Sequence, residues 1–98
     1  MTPYTGELVL SGLTLSSVQA EAVRAHVLHG RNSMLYRYQS HERRLAILTE
    51  EVGEVAKELN EGHINGQLNR SDLVKELIQV AAMALTWVEA LEGNHAAS

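Results

Sequence analysis

The sequence has 98 residues, a formal net charge of −4 and no cysteine. A chain of this length folds as one domain, and the lack of cysteine excludes disulfides, thiolate metal ligands and a cysteine nucleophile. The eight Lys and Arg residues are scattered, which argues against a nucleic acid polymer as partner. No basic and apolar leader stands at the start. The longest weakly polar run, residues 77–88, is interrupted by Gln79 and Thr86 and is too short to cross a bilayer. We therefore expect a soluble, cytoplasmic protein.

Capping and stop residues predict three helices. The predicted N-caps are Ser16, Ser40 and Ser71, and the predicted stop glycines are Gly30, Gly62 and Gly93. We expect helix 1 to end near His29, helix 2 to cover residues 41–61 and helix 3 to end before Gly93. Residues 1–14 and 94–98 are predicted to be irregular tails, although residues 8–10 have the composition of a short strand.

The third predicted helix is apolar around most of its circumference. Its apolar positions are Leu73, Leu77, Val80, Ala81, Met83, Ala84, Leu85, Trp87, Val88 and Leu91. Such a helix has to be buried on several sides, and a three-helix chain offers too few partners. We therefore predict an all-α, small helical bundle, with an antiparallel hairpin of helices 2 and 3 braced by helix 1. Homo-oligomerisation through helix 3 would complete it.

Acidic residues on the two hairpin helices are the candidate functional group. Glu51 and Glu54 are an i, i+3 pair beside the apolar face of helix 2. Glu76 lies among apolar residues of helix 3, three positions before Gln79. Antiparallel packing would let these four side chains face one another and form part of a six-coordinate site for a hard cation. A solvated acidic helix face is the alternative, and the five His residues lack zinc-ligand spacing.

These residues resemble the motif of the MazG-like, all-α nucleoside triphosphate pyrophosphohydrolase superfamily. That motif is EExxE, a spacer and ExxD; here it stands as Glu50-Glu51-Val52-Gly53-Glu54 and Glu76-Leu77-Ile78-Gln79. The likeness covers residues 41–92. It implies a dimeric or tetrameric Mg²⁺-dependent enzyme, with Mn²⁺ as a possible substitute. Such enzymes cleave a nucleoside triphosphate between its α- and β-phosphates to give a nucleoside monophosphate and pyrophosphate.

The resemblance also assigns roles to individual residues. Glu51, Glu54 and Glu76 would be metal ligands, and Glu50 a further ligand or the base that orients the attacking water. Gln79 stands where the family has Asp, so its amide oxygen would coordinate the metal without contributing charge. This departure leaves open a degenerate helical dimer that binds nucleotide or a protein partner without turnover. A relative acting on another pyrophosphate-bearing molecule, such as phosphoribosyl-ATP, is a third interpretation.

Four other side chains are candidates for substrate binding. Lys57, Lys75 and Arg70 have the charge to contact phosphates, although Lys beside Glu on a helix commonly forms only a weak surface pair. Tyr38, in the loop before helix 2, has a ring that would stack on a base or pack in the core.

Overall fold

The computed structural model describes residues 7–93, so the predicted tail at residues 94–98 lies outside the described part of the chain. Three helices form the fold: α1 (Gly12–His29), α2 (His41–Asn65) and α3 (Arg70–Glu92). One turn of 3₁₀ helix, Gly30–Asn32, follows α1. Between residues 7 and 93 there is no strand, which confirms the all-α class. No described helix has both the length and the apolar character needed to span a membrane.

The start of α1 differs from the prediction. Ser11, not Ser16, is the N-cap, and its Oγ accepts a hydrogen bond from the backbone N of Thr14 at 3.1 Å. The prediction that residues 1–14 are irregular is therefore wrong for residues 12–14, and its residues 1–6 lie outside the described part of the chain. Residues 8–10 are exposed rather than paired as a strand. The helix ends at His29 as expected, because Gly30 adopts a positive φ of 52°.

Two of the four remaining helix ends were also mispredicted. Ser40 caps α2, but the helix continues through Gly62 and stops at Gly66, whose φ of 69° and ψ of 15° are left-handed. Asn69, not Ser71, caps α3, because its Oδ1 accepts from the backbone N of Asp72 at 3.1 Å. The end of α3 at Gly93 is confirmed.

Helix α3 is the centre of the bundle, because both other helices pack against it. A short turn, residues 66–69, joins α2 to α3 in the expected antiparallel hairpin. The buried apolar core is small and consists, among the described residues, of Ala25, Met34, Ala82 and Met83. Partly buried residues around it are Val18, Ala22, Ile47, Leu48 and Trp87. Much apolar surface is left exposed on all three helices.

A buried arginine fixes the connection between α1 and α2. Arg44 is only 4% exposed, and its Nε and Nη2 donate to the carbonyl oxygens of Met34 and Tyr36 at 2.8 and 2.9 Å. On the α1 side, the His26 ring lies with its Nδ1 2.7 Å from the Oγ of buried Ser33. These bonds hold residues 33–36 against the bundle, and Ser33 and Met34 line the cavity described below.

Candidate acidic site

The hairpin brings Glu51 of α2 together with Glu76 and Gln79 of α3. The amide orientation that satisfies its neighbours places Gln79 Nε2 3.0 Å from Glu76 Oε2 and 3.1 Å from Glu51 Oε2. All three side chains are half-buried. Two carboxylates from facing helices therefore converge on one point, as the sequence predicted for Glu51, Glu76 and Gln79.

Several carboxylates lie close to one another around Glu51 and Glu76, and within residues 7–93 neither of these two forms a salt bridge. Burial raises the pKa of Glu51, and the charge of Glu76 raises it further, ahead of smaller contributions from Glu54, Glu21 and Glu50. A raised pKa means that the ionised carboxylate is under-compensated in the folded protein. A cation placed here would reverse that imbalance.

The acidic surface extends along α2 beyond the point of convergence. Burial and the charges of Asp72, Glu61 and Glu76 raise the pKa of Glu58, and Lys57 partly offsets them. Glu58 thus belongs to the same negative field, one helical turn beyond Glu54.

The fit of a metal ion depends on how many carboxylates converge. Within residues 7–93, no group of three or more His, Cys, Asp or Glu side chains is placed to hold a metal ion. Glu54 is exposed, and the converging set is two carboxylates with one amide. Two carboxylates fit Mg²⁺, which commonly takes one or two and completes its shell with water and substrate phosphates. Gln79 would add an oxygen ligand only after its amide has rotated, because its nitrogen faces the two carboxylates. These donors would not make a closed all-protein site.

A cavity of about 210 Å³ opens beside the acidic pair. Its lining includes Glu50, Glu51 and Gln79, together with the core residue Met83. Other polar residues around it come from α1, the 3₁₀ turn and the start of α2: Glu21, Arg24, His29, Asn32 and Arg43. The site thus combines clustered acids with two guanidinium groups.

Sequence reasoning missed three charged residues of this cavity: Glu21, Arg24 and Arg43. Arg24 holds Glu21 with two hydrogen bonds, Nε to Oε1 at 2.9 Å and Nη2 to Oε2 at 2.6 Å. Contact with Glu21 raises the pKa of Arg24, and the charge of Glu51 adds a small further increase. The available signal was the i, i+3 spacing of Glu21 and Arg24 next to the apolar stripe of α1, which faces α3.

The four predicted substrate-binding residues lie elsewhere. Lys57, Lys75 and Arg70 are exposed and are not among the residues that line the cavity. Tyr38 is 70% exposed; its hydroxyl accepts from Arg37 Nη2 at 2.7 Å, and its ring meets that of Tyr36 edge-on. None of these four side chains therefore lines the cavity. Glu50, the predicted catalytic residue, does reach the cavity.

Comparison with known proteins returned no match: no protein-family model, no curated protein and no solved structure is similar to this chain. The likeness to the MazG-like superfamily therefore rests on the motif residues quoted above.

Proposed function

We propose that this protein is a Mg²⁺-dependent nucleoside triphosphate pyrophosphohydrolase of the MazG-like type, cleaving between the α- and β-phosphates. The observation that carries the proposal is the convergence of Glu51 and Glu76 from two facing helices, beside a cavity whose lining includes two arginines. A solvated acidic helix face would not require carboxylates to converge across a helix pair. A phosphate substrate would supply the ligands that two carboxylates leave open.

Each residue near the cavity has a role in this proposal. Glu51 and Glu76 would hold the cation, with the amide oxygen of Gln79 as a neutral ligand. Glu50, at the cavity wall, would orient the attacking water. Arg24 and Arg43 would contact phosphate oxygens, a role that suits the guanidinium group. Mg²⁺, when bound, supplies positive charge that neutralises the triphosphate.

We also propose that a second copy of the chain covers the outward face of α3. Its apolar residues Val74, Leu77, Leu85, Val88 and Leu91 are 46% to 63% exposed. Residues 74, 77, 81, 84, 88 and 91 are all apolar and alternate in spacing between three and four, which is the pattern of a helix–helix seam. An apolar groove of about 700 Å³ between α1 and α3 adjoins this face at Leu85 and Val88. A dimer or a tetramer would bury this apolar surface.

A specific observation also favours the degenerate alternative, a helical dimer that binds nucleotide or a protein partner without turnover. Gln79 brings a donor, not a charge, to the acidic pair, and Glu54 is exposed. Two carboxylates bind Mg²⁺ more weakly than four. The two functions differ in turnover, so an assay separates them.

The test is pyrophosphate release from a panel of ribo- and deoxynucleoside triphosphates with Mg²⁺ or Mn²⁺. We expect metal-dependent release that is lost in Glu76→Gln and reduced in Glu54→Gln. Glu61→Gln is the matched control, because Glu61 is an exposed acid on α2 that does not line the cavity. If the folded protein binds a triphosphate but releases pyrophosphate in none of the reactions, the degenerate alternative is favoured. Release that persists in Glu76→Gln would contradict the assigned site.

A further inference from the structure

We propose that Gln79 is an internal substitute for the cation: in the metal-free protein its amide group bridges Glu51 and Glu76, and a cation can bind there only after displacing it. The identity of the cation rests on the function proposed above. The bridge itself does not, because it consists of two hydrogen bonds within the chain.

The chemistry of the bridge matches that of a small cation. A carboxamide nitrogen carries two N–H donors, one for each of the two carboxylates at 3.0 and 3.1 Å. Hydrogen bonds to ionised acceptors are stronger than those between neutral groups. Within residues 7–93 the ion pair is that of Glu21 with Arg24, so neither Glu51 nor Glu76 has a cationic side chain as partner. The amide is the polar group that offsets their repulsion.

The bridge sets the order of binding events. The nitrogen and the oxygen of a carboxamide occupy different positions on the planar amide carbon, and here the nitrogen faces both carboxylates. Gln79 therefore cannot donate to the pair and coordinate a cation between the same two carboxylates in one orientation. A cation must break both hydrogen bonds and turn the amide. We infer that Mg²⁺ alone binds weakly and that Mg²⁺ together with a triphosphate, which adds phosphate ligands, binds well. An Asp at this position would remove the donor and add a third carboxylate.

The first experiment observes the Gln79 side chain by ¹⁵N NMR in metal-free protein. Gln67 is an exposed reference, and Gln39, whose Nε2 donates to the carbonyl of Arg31 at 2.6 Å, is a hydrogen-bonded one. We expect the Gln79 side-chain protons to exchange with solvent roughly tenfold more slowly than those of Gln67. Mg²⁺ with inorganic triphosphate should abolish this protection while Gln39 keeps its own.

The second experiment measures the melting temperature of metal-free variants. Gln79→Leu should lower the melting temperature. The decrease should be smaller by about half or more in a Glu51→Gln background, where the repulsion between residues 51 and 76 has already been removed. Gln79→Asp should lower it further and should bind Mg²⁺ alone at least about tenfold more tightly than the wild type. Gln67→Leu is the control and should change neither quantity.

The possible outcomes are distinct. Exchange of Gln79 as fast as that of Gln67, or an equal loss of stability in both Glu51 backgrounds, would overturn the bridge. Protection that persists while calorimetry detects bound Mg²⁺ and triphosphate would overturn the displacement. The third outcome separates the two proposals. If the Gln79 side-chain protons are protected and lose that protection with Mg²⁺ and triphosphate, but no pyrophosphate is released from any substrate, the proposed hydrolase is overturned and the role of Gln79 is not.

Discussion

Glu51 on α2 and Glu76 on α3 accept hydrogen bonds from the same nitrogen, because Gln79 Nε2 lies 3.1 Å from the Oε2 of the first and 3.0 Å from that of the second. A neutral donor offsets two negative charges only in part. Burial, followed by the charge of Glu76, accordingly raises the pKa of Glu51. The acidic pair is therefore a source of instability that the fold tolerates.

The metal-free protein should lose stability as the pH rises from about 4.3, the ordinary pKa of Glu, towards 7. In this window the folded protein retains the proton of Glu51 more strongly than the unfolded chain does, so ionisation favours unfolding. Glu51→Gln should be more stable than the wild type at pH 7 and should show a flatter dependence. Urea unfolding at several pH values with chelator measures this.

Two comparisons sharpen the pH experiment. Glu58, whose pKa is also raised, should leave a residual slope of the same sign in Glu51→Gln. Glu7→Gln, at an exposed acid outside the helices, is the control and should run parallel to the wild type. A wild-type protein that gains stability between pH 5 and 7, relative to Glu51→Gln, would contradict the assigned repulsion.

The two glycines within α2 and the glycine that caps its C-terminus predict three different responses to alanine. A Cβ at Gly53 meets open space, so Gly53→Ala should stabilise the protein by about 0.5–1 kcal/mol. A Cβ at Gly62 would lie 3.1 Å from Leu68 Cα, so Gly62→Ala should destabilise despite better helix propensity. Gly66→Ala should cost about 1 kcal/mol, because a φ of 69° strains a side chain. Thermal denaturation of the three variants provides the test, and equal effects at Gly53 and Gly62 would refute the packing argument.

The misprediction of helix ends has one physical origin. Serine and glycine are permitted at caps but are also tolerated inside helices, so several candidates stand within a few residues of each end. Gly62 was predicted to end α2, yet the helix continues through it to Asn65. Leu68 folds back over Gly62, where a Cβ would lie 3.1 Å from Leu68 Cα, so this glycine permits a close approach within the helix. That contact is made by a residue beyond the helix, and local sequence does not reveal it.

The candidate site was predictable in part. Helical periodicity and the antiparallel hairpin sufficed to place Glu51 opposite Glu76 and Gln79, because the residues of two long helices keep their register once paired. Glu21 and Arg24 were not found, because their position depends on how α1 packs on α3, and the sequence carries only a modest apolar stripe there. The donor role of Gln79 was also not predicted. An amide group has an oxygen that can coordinate a cation and a nitrogen that can donate hydrogen bonds, and only the neighbouring groups decide which of the two is used.

Arg44 should be essential for stability although it contacts no acid in the described part of the chain. Arg44→Met keeps most of the volume but leaves the carbonyl oxygens of Met34 and Tyr36 without their donor, so we expect a loss of about 2–3 kcal/mol. Arg44→Lys should recover only part of it, because an ammonium lacks the fork that reaches both carbonyls. Arg43→Met, one residue away and exposed, should stay within about 0.5 kcal/mol. Similar losses at the two positions, by urea unfolding, would disprove the bracing role.

The outward face of α3 should control the oligomeric state. Leu77→Glu and Val88→Glu place a charge on the apolar seam, where burial in an interface would leave the carboxylate without a partner. Each should weaken self-association by at least about tenfold, a change of roughly 1.4 kcal/mol, in sedimentation equilibrium. Ile64→Glu is the matched control, because Ile64 is 71% exposed at the end of α2 and should not alter assembly. A wild-type protein that sediments as a monomer would contradict the proposed interface, as would equal weakening by Ile64→Glu. Preserved folding of the glutamate variants, checked by circular dichroism, would show that lost assembly is not lost structure.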